Sequence, residues 1–187
     1  MELFVKNKNM ELPKQYNWLY KELGPRILME ALKDYGLKEV PGAKNDPTIM
    51  KWAKELKISW YTADSTPWCG LGMGWWAKNA SYPFNPAKLL AAKEWANWGK
   101  HIPKDQAMLG DVLVFSRDGG GHVGLYIGED ATSFCVYGAN QSDSVGFTWI
   151  AKNRLVAVRR SPFKIGQPAN IRKIQLKRTG ELSTNEA

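Results

Sequence analysis

The chain has two cysteines and two histidines in 187 residues, and one cysteine and one histidine are placed for nucleophilic chemistry. Cys69 stands in the run Asp64-Ser65-Thr66-Pro67-Trp68-Cys69-Gly70. A Ser65 or Thr66 cap followed by Pro67 at a first helical position predicts a helix start there, running to about Asn79. Unpaired backbone N–H groups and the positive end of the helix dipole favour thiolate at such a place, and thiolate is the nucleophilic form. His122 follows Gly119-Gly120-Gly121 at the start of a β-rich run, so a glycine turn can present its imidazole at a sheet edge, across a cleft from the helix start. It could there take the thiol proton and later donate one to a departing amine. Asn140, in Gly138-Ala139-Asn140-Gln141, lies one strand further on. It is the candidate for the third role, an amide that accepts the second imidazole N–H and fixes the tautomer. Each of these residues also has a plainer reading: an isolated cysteine is most often a buried structural one, and an isolated asparagine in such a run is most often a turn residue.

The remaining reactive side chains carry less. His101, between Gly99-Lys100 and Pro103, reads as a surface histidine in a loop, and Cys135, between Phe134 and Val136, as a packing residue in a strand. Cys69, Cys135, His101 and His122 lack the close pair spacings of a zinc site. The glycines at 119 to 121 lack the Lys-Ser/Thr of a phosphate loop. Trp68, Trp75, Trp76, Trp95 and Trp98 crowd one half of the chain, where core packing is expected of most, while Trp68, beside the nucleophile, is the candidate for cleft contact. Asp64 either caps the helix or lines the cleft near a substrate amine.

Helices are predicted to come first. Ile27, Leu28, Ala31, Leu32 and Tyr35 recur at helical spacing after Pro25, with Gly36 as a stop. Asp46-Pro47 opens a second helix with Ile49, Trp52, Ala53 and Leu56 on one face, and Asn85-Pro86 a fourth, reaching toward Gly99. From Gly110 the period changes: 111–115, 123–127, 133–137, 146–150 and 155–158 are short β-rich runs parted by Gly, Asp, Asn and Ser. Connections this short favour hairpins. The expected fold class is α+β, helices packed on a mostly antiparallel sheet of five or six strands.

The length suits one domain, read as 25–162, with an N-terminal extension at 1–24 and a basic tail at 163–187. The hydrophobic fraction of 44% is globular, and no apolar run approaches the ~20 residues of a membrane helix. The start MELFVKNKNMELPKQ lacks a secretory pattern. Two cysteines make no disulfide framework. From Arg159 to Arg178 stand Arg159, Arg160, Lys164, Arg172, Lys173, Lys177 and Arg178 with no acidic residue between them. A loosely ordered, solvated tail is expected, and the net charge of +8 attracts polyanions of any kind. Motifs of specific nucleic-acid binding are missing.

The ordered motifs TPWCG, GHVGLYIGED and GANQSDSV, then a strand ending RLVAVRRSP, resemble the phage and bacterial cell-wall hydrolases of the CHAP and NlpC type. The resemblance is to a subgroup reading DxTPWC, GHVG and GNQ; it spans roughly Arg26 to Pro162 and takes in VPGAKNDPTI. It implies a papain-like fold, a monomer, and cleavage of an amide bond in the peptide of peptidoglycan, by an amidase or an endopeptidase. Cys69 is then the nucleophile, His122 the base and Asn140 the orienting residue, with Trp68, Asp64, Gly121 and Gln141 toward the substrate. No metal or organic cofactor is implied. Ala139 stands where many relatives have a second glycine. Such a protein would be made in the cytoplasm and reach the wall after release, as a phage lysin, or be carried in a virion; its basic tail could meet an anionic wall polymer. The competing expectation is a non-catalytic wall-binding or virion structural module of the same fold.

Overall fold

Asp46 sets the start of its helix as its sequence predicts: the carboxylate accepts the N–H groups of Thr48 and Ile49 at 2.8 and 3.0 Å, and Pro47 opens α2 (Pro47–Glu55). The computed structural model describes residues 11–163 and 165–186; residues 1–10, which include most of the stretch read for a signal, and Lys164 and Ala187 lie outside the described residues. Before α2, α1 (Arg26–Leu32) follows an extended Pro25 and ends in turns that reach Gly36 at φ 81°. α3 (Cys69–Asn79) begins later than a Ser65 or Thr66 cap would have it: Trp68 is the cap residue, without a side-chain cap, and Cys69 is the first helical residue.

The expected fourth helix is replaced by turns and a short 3-10 stretch (Ala92–Asn97). Asn85 bends its side chain onto the N–H of Ala87 at 3.0 Å, and Trp95 Nε1 donates to the Leu89 carbonyl at 2.9 Å. The Asn85 bond is of the kind that opens a helix, but the Trp95 indole takes a carbonyl that a continuous helix would use.

Six strands follow: β1 (Lys100–Ile102), β2 (Val112–Arg117), β3 (Gly120–Glu129), β4 (Ser133–Gly138), β5 (Gly146–Ala151) and β6 (Leu155–Arg160). They form one antiparallel sheet in the order β1-β6-β2-β3-β4-β5. All five β-rich runs are strands. β1 is the addition, and it puts His101, read as a loop residue, opposite Arg159 with its side chain still exposed. Alternation sends Val112, Val114, Val123, Leu125 and Tyr137 to the helix side and Leu113, Phe115, Tyr126, Val136 and Ile150 to a second apolar cluster on the other face. The protein is α+β, with the helix-then-sheet plan of a papain-like fold. No helix among the described residues is long and apolar enough to cross a membrane.

Close backbone approach fixes α3 on this frame. A Cβ on Gly70 would lie 2.1 Å from the Leu89 carbonyl oxygen, and one on Gly72 would lie 2.4 Å from the Ala139 methyl, just past β4. The Ala139 methyl therefore has room because position 72 is a glycine.

The described residues outside 25–162 join the same body. Leu12, Tyr16 and Leu19 are buried in the helix-side cluster. The basic segment is not a loose tail: the Leu109 N–H donates to Arg172, the Glu129 N–H to Ile174 and the Leu176 N–H to Glu129, each at 2.9 Å. Its cations meet internal acids, Arg172 with Glu22 at 2.9 Å, Lys173 with Glu129 at 3.2 Å and Arg178 with Asp130 at 3.9 Å. Backbone pairing and acidic partners supplied by the fold order a stretch that has no periodicity of its own.

Two predictions test the packing. Gly72→Ala is expected to destabilise by roughly 1–3 kcal/mol through overpacking, and Ala139→Gly in the same chain to recover a large part of it; a thermal-denaturation double-mutant cycle reads the coupling. Asp34 accepts Trp76 Nε1–H at 2.9 Å, and burial pushes its carboxyl up to about 6 from 3.8. The folded chain therefore holds a proton that the unfolded chain gives up, so Asp34 costs stability as pH rises through that window. Asp34→Asn keeps the acceptor for Trp76 and should raise the melting temperature at pH 7, with the gain vanishing below about pH 4.

Candidate active site

Cys69, as the first residue of α3, has the orphan N–H groups of the helix start around it. Its thiol is buried, at 3% exposure, and burial pushes the thiol up. Acting the other way are the Val123 N–H, the Arg117 charge and the N–H groups of Gly70 and of Cys69 itself. Val123 is the residue after His122, so the docking of α3 brings the sulfur to the start of β3. Cys135, the other free thiol, lies in β4 and meets the Tyr16 hydroxyl at 3.3 Å within the core.

His122 is also buried, at 1% exposure, and burial holds its imidazole down at about 4. The Glu186 charge and a hydrogen bond to Gln141 act upward, and Arg117 and Arg154 downward. His122 Nε2 lies 3.0 Å from Gln141 Oε1. Gln141 Nε2 donates to the carbonyls of Gly146 at 2.6 Å and Val136 at 3.3 Å, which commits the amide oxygen to the imidazole. Nε2 is thereby the protonated nitrogen, and Nδ1 is left as the base. A Cβ on Gly138 would lie 2.8 Å from Gln141 Oε1 and 3.3 Å from His122 Nε2, so the end of β4 must be bare for the pair to fit.

The orienting amide is thus Gln141 and not Asn140. Asn140 takes the left-handed conformation at φ 53°, and its Oδ1 is buried with no partner among the described residues. This turn breaks the strand alternation, and the longer Gln141 side chain reaches back to the imidazole. GANQ offers two adjacent amides, and nothing in their order tells them apart. Trp68 is fully buried core: its Nε1 donates to Glu39 at 3.1 Å and its ring packs 6.3 Å from that of Trp52, which removes it from the cleft. Asp64 neither caps α3 nor lines a cleft. Its Oδ2 accepts the N–H groups of Val40 at 3.0 Å and Asp46 at 2.7 Å, tying the loop before Cys69 to the loop before α2. That second loop pairs with the turn after Gln141, Glu39 N–H to the Asp143 carbonyl at 3.0 Å. Gly121 lies in β3 opposite Ser116, where a Cβ would lie 2.8 Å from Lys93 Cγ. A cavity of about 420 Å³ with Trp95 and Trp98 in its wall contains none of Cys69, His122 and Gln141.

Residues 78–154 match the NlpC/P60 family model. The matched stretch carries β2 to β5 with His122, Asn140 and Gln141, and starts beyond Cys69, so it is the sheet side of the site that is similar to that family. No curated protein matches the chain.

The assignment of the orienting amide predicts a spectroscopic difference. In Gln141→Ala the ¹⁵N shifts of His122 should lose the pattern of a fixed Nε2–H tautomer, whereas Asn140→Gly, which fits a positive φ, should leave that pattern in place.

Proposed function

We propose that the chain is a cysteine peptidase that hydrolyses an amide bond in the peptide of peptidoglycan. The observation that carries this reading is a buried helix-start thiol on which the backbone of Val123, the residue after His122, acts, with the His122 imidazole held 3.0 Å from the Gln141 amide oxygen. The NlpC/P60 similarity of residues 78–154 supports the peptidoglycan substrate, since that family consists of cell-wall peptidases. The DSTPWC, GHVG and GANQ runs, which resemble the motifs of phage cell-wall hydrolases, favour a lysin of phage type that reaches the wall after release.

The residues divide the work as follows. His122 Nδ1 takes the Cys69 proton, and the thiolate attacks the amide carbonyl carbon. The N–H groups of Cys69 and Gly70 at the start of α3 stabilise the oxyanion. The imidazolium then gives its proton to the leaving nitrogen as the C–N bond breaks, leaving a thioester and a free amine. His122 next removes a proton from water, hydroxide adds to the thioester, and the carboxylate departs as the thiol is restored. Gln141 keeps the ring oriented through both steps.

Purified cell walls incubated with the protein should release new amino groups. Cys69→Ala should abolish the release while circular dichroism stays unchanged, and Gln141→Ala should reduce it by about two orders of magnitude. Amine release by Cys69→Ala at the parent rate would refute the reading. Wall binding without amine release by the parent would point to the non-catalytic module. Mass spectrometry of the fragments identifies the bond as that of an amidase or an endopeptidase.

A further inference from the structure

The mechanism leaves unused a pair of arginines and the peptide segment lying on them. Arg154, in the 3-10 turn Lys152–Arg154 between β5 and β6, anchors its Nε on the Ser116 carbonyl at 3.0 Å. That leaves both terminal nitrogens aimed at one carboxylate: Nη1 meets Glu186 Oε1 at 2.7 Å and Nη2 meets Oε2 at 2.8 Å. This is the two-point fork in which a guanidinium recognises a carboxylate. The Glu186 side chain is completely buried.

The segment around Glu186 is held as a bound peptide would be. The Ser183 N–H donates to the Trp149 carbonyl at 2.8 Å, the Ser183 carbonyl accepts from Arg154 Nη1 at 2.9 Å, and the Glu186 carbonyl accepts the Ser142 N–H at 2.9 Å. Arg117 Nη1 donates to Asn185 Oδ1 at 2.7 Å, while its Nε is buried without a partner among the described residues.

Geometry ties this arrangement to the His122 site: Ser116, which holds Arg154 Nε, pairs with Gly121 next to His122, and Ser142, whose N–H meets the Glu186 carbonyl, follows Gln141. The Glu186 charge acts on His122, and the Arg117 charge acts on both His122 and Cys69. Cys69 and His122 are at the same time almost sealed from solvent. A peptide substrate has to reach that pair, and an acidic peptide already lies beside it.

We propose, resting on the reading of Cys69 and His122 as the reacting pair, that Arg154 with Arg117 forms a carboxylate subsite for an acidic peptide substrate. Ser183 to Glu186 is the internal occupant of that subsite and leaves before substrate enters. In the resting chain it answers the arginine charge and closes the approach over the turn after Gln141; when it lifts, the guanidinium fork is bare and already oriented by Ser116.

Alkylation of Cys69, mapped by mass spectrometry, tests this without reference to hydrolysis. Neutral iodoacetamide reports access, and anionic iodoacetate reports the charge beside the thiol. Two released forms are compared with the parent, the full chain with Glu186→Gln and a chain ending at Leu182, so that one remains if the other fails to fold. Both should label at Cys69 faster by about tenfold or more, the loss expected for a charge-assisted contact. The ratio of iodoacetate to iodoacetamide rates should rise with release, and Arg154→Gln in the released form should return it to the parent value. The free peptide Ser-Thr-Asn-Glu-Ala should protect the shortened chain, and Ser-Thr-Asn-Gln-Ala should protect it far less. Unchanged labelling in folded released forms would overturn the proposal, as would faster labelling with no change in the ratio. Charge-selective labelling in a released form that cleaves no wall would uphold the subsite and defeat the peptidase reading alone.

Discussion

The seating of α3 against the end of β4 and the start of β3 is the contact on which everything else in this molecule rests. Glycines of α3 make it possible: Gly72 presents no side chain to the Ala139 methyl just past β4, and Gly70 none to the Leu89 carbonyl in the neighbouring turns. Three glycines in eleven residues make a poor helix by propensity alone, costing about 1 kcal/mol each relative to alanine. The return is positional. A helix with ordinary side chains would stand off from the sheet, and the Cys69 sulfur would not reach the Val123 N–H.

The rest of the site hangs from that contact through a closed ring of hydrogen bonds. Asp64 ties the loop that delivers Cys69 to the loop that delivers α2, and that loop pairs with the turn that positions Gln141. Cys69 and Gln141, more than seventy positions apart in sequence, are therefore set by one connected loop system rather than by separate elements. The cost is visible in the backbone, where Asn140, Ser142 and Asp143 all have positive φ. Such a cluster of unfavourable conformations persists only where surrounding contacts over-determine it.

What was legible in the sequence is what local chemistry decides. Asp46-Pro47 announced α2 because its cap is made within three residues, and the strands from Val112 onward were announced by β-rich runs between turn residues. The helix that carries Cys69 and the strand that carries His122 were legible from their local contexts, a proline entry and a glycine turn. The failures were long-range. Asn85-Pro86 signals a helix, but the Trp95 side chain, ten residues on, claims the Leu89 carbonyl within it. The stretch after Pro162 shows only charge, yet pairing with β3 and acids from elsewhere order it. Trp68 looked exposed by its neighbour Cys69, and its indole instead points to Glu39 in the core. Asn140 and Gln141 were separated only by a left-handed turn that rotates the second amide toward His122.

The buried, uncharged state of the thiol and imidazole has a consequence for the life of the protein before it acts. Peroxides and disulfides react with thiolate, and a thiol pushed up by burial offers almost none. A nucleophile kept in this form is chemically quiet. The same packing that shields Cys69 from solvent therefore also withholds its sulfur from oxidants.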